Sequence, residues 1–149
     1  MKTLQEIQQI RDAMHPELEL RHEGSQEANS KYEKHVLICA GTGCTSSASL
    51  TIAKTLEEEL EKNGLSEKIQ VIRTGCFGLC ALGPIMIVYP EGAFYSRIKA
   101  KHIPQIVQEH LINGNPVKEL LYDETVTDEG IKSLNETSFY KKQHRVALR

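Results

Sequence analysis

An apolar run leads directly into a pair of cysteines in His35-Val-Leu-Ile-Cys39-Ala-Gly-Thr-Gly-Cys44. The same order recurs downstream, where Ile69-Gln-Val-Ile-Arg73 precedes Cys76-Phe-Gly-Leu-Cys80. These two pairs account for all four cysteines of the chain. The run Val36-Leu-Ile38 has no polar alternation, which is typical of a strand buried on both faces, as in a parallel sheet. Each cysteine pair is therefore predicted to lie in a glycine-containing loop at the exit of a strand.

The segment between the two pairs predicts a helix that runs to about Lys62. Its N-cap is expected to be a hydroxyl of Thr45-Ser-Ser47, and Asn63-Gly64 is a typical helix end. One broad stripe of this helix carries the apolar residues Leu50, Ile52, Ala53, Leu56 and Leu60. Strand, helix and strand form a βαβ unit with parallel strands. Both cysteine pairs then lie at the carboxyl edge of the sheet, where their sulfurs converge. The helix N-terminus lies beside the Cys39/Cys44 loop, and its partial positive charge favours thiolates.

Four thiolates at one point require a metal, because unpaired buried anions are too costly. Zinc and a [2Fe–2S] cluster both accept four cysteines, and the spacing leaves the two open. A thioredoxin-type redox pair is excluded, since it needs Cys-x-x-Cys and neither pair has that spacing. Room for backbone N–H groups to point at sulfur is expected at Gly41, Gly43, Gly75, Gly78 and Gly83. Water is expected to be kept away by Phe77, Leu79, Leu82 and Pro84.

The chain after the second pair predicts a β-hairpin and then a helix. Residues 85–89 and 93–97 are apolar runs that flank a Pro-Glu-Gly turn. The helix is expected to begin near His102 and to end at Asn113-Gly114, with a buried face formed by Ile103, Ile106, Val107 and Leu111. The order βαβ followed by ββα predicts an α/β fold, a thioredoxin-like sandwich.

A short amphipathic helix is predicted over residues 3–14, ahead of this core. Thr3 and Glu6 form a capping box, and Pro16 is expected to end the helix. The apolar residues at helical spacing are Leu4, Ile7, Ile10 and Met14. This stripe either docks on another subunit or folds back on its own domain, and both interpretations stay open. Residues 21–34 are polar and predict a flexible linker, so the region 1–34 is not expected to be part of the core.

Residues 123–149 are predicted to be a linker with an extended tail, which follows the folded domain of residues 35–122. This stretch has few apolar residues at either structural period, so it cannot bury enough surface for its own core. We expect it to be extended or mobile unless a neighbouring chain holds it. The apolar residues that would need such a surface are Phe139, Tyr140, Val146 and Leu148. A solvated linker or an electrostatic contact to another subunit would be formed by Lys141, Lys142, Arg145 and Arg149.

Length and composition are those of one ordinary domain with extensions. The chain has 149 residues, of which 40% are hydrophobic and 26% charged. The net charge of −2 does not indicate a basic surface for nucleic acid binding, and no apolar run is long enough for membrane insertion. Without a signal-peptide pattern the expected location is cytoplasmic, where cysteine patterns indicate metal binding or catalysis. None of the histidines is expected to be a ligand, namely His15, His22, His35, His102, His110 and His144.

Two motifs contain the cysteine pairs, Cys39-Ala-Gly-Thr-Gly-Cys44-Thr-Ser-Ser and Thr74-Gly-Cys76-Phe-Gly-Leu-Cys80-Ala-Leu-Gly-Pro. Through these motifs, residues 35–121 resemble the thioredoxin-like [2Fe–2S] ferredoxin family. Two more stretches, Gln108-Glu-His-Leu-Ile-Asn-Gly-Asn-Pro-Val-Lys-Glu-Leu-Leu-Tyr122 and Phe139-Tyr-Lys-Lys-Gln-His-Arg-Val-Ala-Leu-Arg149, extend the resemblance. Together they are similar to the N-terminal part of the NADH-binding flavoprotein subunit of cytoplasmic [FeFe] hydrogenases. That subunit is related to the NADH-binding flavoprotein of respiratory complex I.

The resemblance implies a one-electron transfer module. It carries over Cys39, Cys44, Cys76 and Cys80 as the ligands of a [2Fe–2S] cluster and places that cluster well above zinc. In the resembling subunits, FMN, the NAD(H) site and further iron–sulfur clusters lie downstream, and this sequence has no Gly-x-Gly-x-x-Gly for a dinucleotide. The implied partners are other subunits of an NAD(P)H-linked hydrogenase or NADH dehydrogenase-type complex, and the chain is not expected to be catalytic alone. The alternative is a zinc-stabilised Cys₄ interaction module without redox activity.

Overall fold

The computed structural model describes residues 3–21, 30–127, 130–131 and 136–144. Its central sheet contains β1 (Lys34–Cys39), β2 (Ile69–Thr74), β3 (Met86–Tyr89) and β4 (Ala93–Tyr95). The strand order is β2-β1-β3-β4. Strands β1 and β2 are parallel, with Cys39 opposite Thr74, while β3 pairs antiparallel with β1 and with β4. The predicted α/β fold, with its parallel βαβ unit and its hairpin, is confirmed.

The helices are α1 (Leu4–Glu19), α2 (Thr42–Ser46), α3 (Ser49–Lys62), α4 (Ile103–Ile106) and α5 (Ser138–Lys141). Short 3₁₀ turns are formed by Cys80–Leu82, Ala100–His102, Lys118–Leu120 and Asp123–Thr125. A two-residue strand pair, β5 (Val126–Thr127) and β6 (Gly130–Ile131), lies outside the main sheet. Among the described helices, none has both the length and the apolar character needed to cross a bilayer.

Alternate residues of β1 serve two separate hydrophobic clusters. Val36 and Ile38 pack in a large cluster with residues of α3 and α4. Leu37 and Cys39 pack on the other face, in a smaller cluster with Cys44. Because both faces are covered, the strand needs apolar side chains at every position, as its sequence indicates. The second face is covered by residues of the cysteine loops, with Phe77, Leu79 and Leu82 among them, and by Tyr122 and Tyr140.

The predicted helix after Cys44 is α3, which ends at Lys62 as expected, but its predicted hydroxyl N-cap is wrong. The chain breaks between α2 and α3, where Ala48 adopts φ +65° and acts as N-cap without a side-chain hydrogen bond. The break leaves Cys44 inside the five-residue α2 and buries it. Leu50 is exposed, contrary to the predicted stripe. At about 100° per residue it lies nearly opposite Ile52, which faces the core.

The ends of α3 and of the last core helix follow the sequence signals. Gly64 has φ +68°, and the Leu65 N–H donates to the Leu60 carbonyl at 2.8 Å, which closes the predicted helix end. The expected buried face is confirmed for Ile103, Ile106, Val107 and Leu111. The change from α4 to a π-helical turn at Val107–Ile112 was not predicted, because no sequence signal marks it.

The N-terminal helix has the predicted capping box of Thr3 and Glu6, but its predicted end is wrong. Pro16 lies inside α1 and does not end it. Proline removes one backbone hydrogen bond of the helix, and contacts from the segment after the helix hold the turn that follows Pro16. The Glu17 carboxylate accepts hydrogen bonds from Ser30 Oγ at 2.7 Å and from the Lys31 N–H at 2.8 Å. It also lies 3.2 Å from Nε2 of the buried His35. The last turn of α1 is therefore tied to the core.

The earlier turns of α1 leave their apolar stripe exposed. None of its residues is buried, and the exposed apolar side chains are Leu4, Ile7, Ile10, Met14 and Leu18. The stripe itself does not fold back on the described part of the domain, so docking on another subunit stays a prediction. Of the predicted linker, residues 22–29 lie outside the described residues, and so does His22. Lys34, the last residue of that linker, is already in β1.

Candidate metal centre

The structure brings the two cysteine pairs to one edge of the sheet. Cys39 is the last residue of β1, and Cys76 follows the end of the parallel neighbour β2 by two residues. Cys44 lies in α2 and Cys80 begins a 3₁₀ turn. Cys39 and Cys44 are buried, whereas Cys76 and Cys80 are exposed. The site therefore has an inner pair and an outer pair of sulfurs, all with free thiols.

The sulfurs contact one another pairwise. Cys76 Sγ and Cys80 Sγ are 3.6 Å apart. The Cys39 thiol interacts with the thiols of both Cys44 and Cys76, so it links the inner pair to the outer pair. No group of three or more His, Cys, Asp or Glu side chains among the described residues is arranged to hold a single metal ion. The thiols therefore form a chain of neighbouring contacts from Cys44 through Cys39 and Cys76 to Cys80.

Two glycines allow the loops to approach the cysteines. A Cβ atom at position 41 would lie 2.8 Å from Cys76 Cβ, and one at position 83 would lie 2.8 Å from Cys44 Sγ. At Gly43 the same atom would be 3.6 Å from Cys80 Sγ, which is an ordinary contact. The close approach of the two loops thus requires glycine at positions 41 and 83. At Gly75 an added Cβ would meet nothing within 4 Å.

A backbone N–H donates to one of the sulfurs, as predicted for the glycine-containing loops. The Gly78 N–H lies 3.3 Å from Cys76 Sγ. This hydrogen bond is the largest cause that lowers the pKa of Cys76, followed by the neighbouring Cys80 thiol. Gly78 has φ +82°, a conformation that glycine adopts without strain. The loop is therefore shaped to stabilise negative charge on Cys76.

The thiols of Cys44 and Cys80 resist ionisation on their own. Burial raises the pKa of Cys44 to about 11, with further contributions from Cys39 and Cys80. The hydrogen bond and the charge of Cys76 raise the pKa of Cys80. Several thiolates this close together repel one another unless a cation compensates them. The donor set thus fits an iron–sulfur cluster or another thiophilic metal centre, and the close approach of Gly41 and Gly83 brings the two cysteine loops together around it.

Apolar side chains surround the inner sulfurs. Phe77, Leu79 and Leu82, three residues predicted to exclude water, are partly buried against the cluster that contains Cys39 and Cys44. The fourth, Pro84, is buried. The outer pair of sulfurs remains open to solvent, so one side of the site is accessible to a partner.

The C-terminal part contributes residues that the sequence did not assign to the site. The Tyr140 hydroxyl donates to the Phe77 carbonyl at 2.6 Å, and the Phe139 ring lies beside Gly78. Residues 138–141 form α5 and are not extended, contrary to the expectation for the tail. The apolar character of Phe139 and Tyr140 indicated that they need a surface, but nothing in the pattern showed which one. Val146 and Leu148 lie outside the described residues.

Comparison with known proteins gives the family. The family model of the thioredoxin-like [2Fe-2S] ferredoxins matches residues 25–111. A 2Fe-2S ferredoxin of Clostridium pasteurianum is 39% identical over 94 residues, which cover 58% of this chain and 92% of that protein. The crystal structure of the wild-type thioredoxin-like [2Fe-2S] ferredoxin from Aquifex aeolicus has 27% identity and a TM-score of 0.58, and the match covers 63% of this chain and 99% of that one.

A more distant match is an NAD+-reducing [NiFe]-hydrogenase in the H2-reduced state. Its TM-score is 0.51 at 12% identity, and the match covers 82% of this chain and 22% of that one. This similarity is one of fold alone. The family model covers more than half of the described chain and contains both cysteine pairs. The chain belongs to the thioredoxin-like [2Fe-2S] ferredoxin family.

Proposed function

We propose that this chain transfers single electrons by means of a [2Fe–2S] cluster held by Cys39, Cys44, Cys76 and Cys80. The observation that carries the proposal is the convergence of the two cysteine pairs, with Gly41 and Gly83 each packed directly against a cysteine of the opposite pair. Family membership implies electron transfer and favours an iron–sulfur cluster over the zinc alternative. Four thiolate ligands also match what a [2Fe–2S] centre requires.

The chain's own groups have distinct tasks in this proposal. A bound [2Fe–2S] cluster supplies reversible one-electron oxidation and reduction. The buried Cys39 and Cys44 would hold it against the sheet, and the exposed Cys76 and Cys80 would face the side where an electron donor or acceptor can approach. The Gly78 N–H donates to the Cys76 sulfur and would stabilise negative charge there. Phe77, Leu79 and Leu82 limit the access of water to the inner sulfurs.

We further propose that the physiological setting is an NAD(P)H-linked hydrogenase or NADH dehydrogenase-type complex. The support is the sequence resemblance of residues 108–122 and 139–149 to the hydrogenase flavoprotein subunit. In addition, the ferredoxin relatives are matched over 92% and 99% of their length, while this chain continues past the family match. FMN, NAD(H) and further clusters would belong to other parts of such a complex, and the exposed stripe of α1 is a candidate docking surface. The cytoplasmic location stays a prediction.

Metal and sulfide analysis of the chain purified without oxygen tests the cofactor. We expect iron and labile sulfide in equal amounts, at one [2Fe–2S] cluster per chain, with a red-brown colour. Serine at any one of the four cysteine positions is expected to abolish or destabilise the cluster, with Cys39→Ser and Cys76→Ser most damaging because strands position these two residues. One equivalent of zinc, without iron or sulfide, would contradict the proposal.

Activity assays test whether the chain needs partners. The purified chain is expected to exchange electrons with small redox dyes. It should not oxidise NADH, even with FMN added, because its sequence has no glycine loop for a dinucleotide. Saturable NADH oxidation by the chain alone would show that it is a complete oxidoreductase instead of a module.

A further inference from the structure

One peptide unit of the cysteine loop is hydrogen-bonded at both of its ends. The Phe77–Gly78 peptide donates its N–H to Cys76 Sγ at 3.3 Å. The carbonyl of the same peptide accepts the Tyr140 hydroxyl at 2.6 Å. A peptide unit is planar and turns as one body, so a bond at the carbonyl end fixes the direction of the N–H. The position of Tyr140 therefore bears directly on a sulfur that it does not touch.

The backbone at this peptide has unusual freedom without that bond. Gly78 has φ +82° and no Cβ atom, so the preceding peptide can rotate with little steric resistance. A rotated peptide would turn its carbonyl oxygen toward the Cys76 sulfur and repel a thiolate. Hydrogen bonds in series also polarise one another, so an accepted bond at the Phe77 carbonyl strengthens the Gly78 N–H as a donor. The Tyr140 hydroxyl thus affects both the direction and the strength of the bond to sulfur.

Tyr140 is itself held in place by its surroundings. Its ring and the Phe139 ring meet edge to face at 5.2 Å between centroids. The Glu124 carboxylate accepts hydrogen bonds from the Ser138 N–H at 3.1 Å and from Ser138 Oγ at 3.0 Å, which fixes the start of α5. The Tyr122 hydroxyl donates to the same carboxylate at 3.0 Å. These contacts all lie beyond residue 111, where the family match ends.

We propose that Tyr140 is a positioning residue for the redox site. By holding the Phe77–Gly78 peptide, it maintains the Gly78 hydrogen bond to Cys76 and raises the reduction potential of the bound centre. Hydrogen bonds to cluster sulfurs stabilise the reduced, more negative state, and they are among the factors that set the potential. The inference rests on the proposed function, because it concerns the potential of the proposed cluster. Tyr140, which lies outside the region matched by the family model, would thus help to set that potential.

Tyr140→Phe removes the hydroxyl and keeps the ring, so the packing of the ring against the cluster that contains Cys39 and Cys44 is preserved. Tyr32→Phe is the matched control. Tyr32 lies just before the first residue of β1, whereas Cys39 is the last residue of that strand. We expect the full-length Tyr140→Phe variant to retain its cluster with a midpoint potential shifted to a more negative value, while Tyr32→Phe keeps the wild-type midpoint. An unchanged midpoint in the cluster-loaded Tyr140→Phe variant would overturn the inference.

A second readout follows the peptide itself and does not depend on redox activity. The Gly78 amide of the full chain is expected to exchange with deuterium faster in Tyr140→Phe than in the wild type, with no change in Tyr32→Phe. This comparison also decides the case in which Tyr140→Phe loses its cluster: unchanged exchange would overturn the inference, and faster exchange would support it. A wild-type chain that binds no [2Fe–2S] cluster would contradict the proposed function, and the inference with it. If the wild-type chain binds the cluster and Tyr140→Phe has the wild-type midpoint potential and the wild-type Gly78 exchange rate, only the inference about Tyr140 is contradicted.

Discussion

Gly83 lies directly against the sulfur of Cys44, and a Cβ atom at position 83 would be 2.8 Å from Cys44 Sγ. Real Cβ atoms do not approach other atoms this closely, and the Cys80 carbonyl oxygen at 3.2 Å closes the space from another side. The backbone after the second cysteine pair therefore packs on a member of the first pair. Gly41 has the reciprocal contact with Cys76, so each loop is fitted to the other.

The first prediction concerns these fitted glycines. Gly83→Ala and Gly41→Ala are each expected to reduce cluster occupancy severely and to destabilise the fold by about 1–3 kcal/mol, the usual cost of overpacking. Gly75→Ala is the matched control in the same region, because an added Cβ there meets no atom within 4 Å. Iron content per chain and denaturant unfolding measure the two effects. Equal occupancy in all three variants would show that the close contacts are not needed for the centre.

The second prediction concerns the pH dependence of stability. Burial lowers the pKa of His110 to about 4 from its ordinary 6.5, so the folded chain keeps this imidazole neutral while the unfolded chain protonates it. Stability contributed by the neutral histidine is present above pH 6.5 and falls as the pH drops toward 4. The full loss is roughly 3 kcal/mol for a shift of this size. Denaturant unfolding of the chain between pH 7 and pH 5 measures the slope.

Matched histidine variants isolate this contribution. His110→Gln is expected to flatten the slope, while replacement of the exposed His15 by glutamine should leave it at the wild-type value. His35 is also buried with a lowered pKa, mainly because of burial, so part of the slope remains in every variant. Identical slopes for the wild type and His110→Gln would contradict the assignment.

The third prediction separates two parts of the N-terminal region. Removal of residues 1–14 should leave the unfolding free energy unchanged, because no residue of α1 is buried. Removal of residues 1–30 also takes away Glu17, which bonds to Ser30 and approaches the buried His35, and the buried Leu20. Leaving His35 without these partners is expected to cost about 1–3 kcal/mol. If both truncated chains unfold at the same denaturant concentration, the contact of α1 with the core carries no stability.

The core and the cysteine loops were predictable because their signals are local. Val36-Leu-Ile38 indicated a strand buried on both faces, and its side chains do enter two clusters. The cysteines follow parallel strands, so the topology alone brings them to one edge. Gly64 marked its helix end through a conformation that glycine favours.

The features that the sequence did not predict depend on distant contacts. Pro16 is a local stop signal, yet Glu17 and its partners from the following segment hold the helix beyond it. The break between α2 and α3 at Ala48 has no glycine that would predict it. Cys44 is buried in the helix before this break. The bond between Tyr140 and the Phe77 carbonyl joins residues 63 positions apart, which no periodicity encodes.

The most direct test of the central claim is a redox titration of the full chain followed by electron paramagnetic resonance. The account predicts that one-electron reduction produces one spin per chain. It predicts a midpoint on the order of −400 mV, the value of all-cysteine plant-type centres, because four thiolates keep the site anionic. Colour and signal should vanish together when a site cysteine is replaced. A midpoint above zero would mean that the ligand set is wrong, and the absence of any reducible signal in the iron-loaded chain would contradict electron transfer itself.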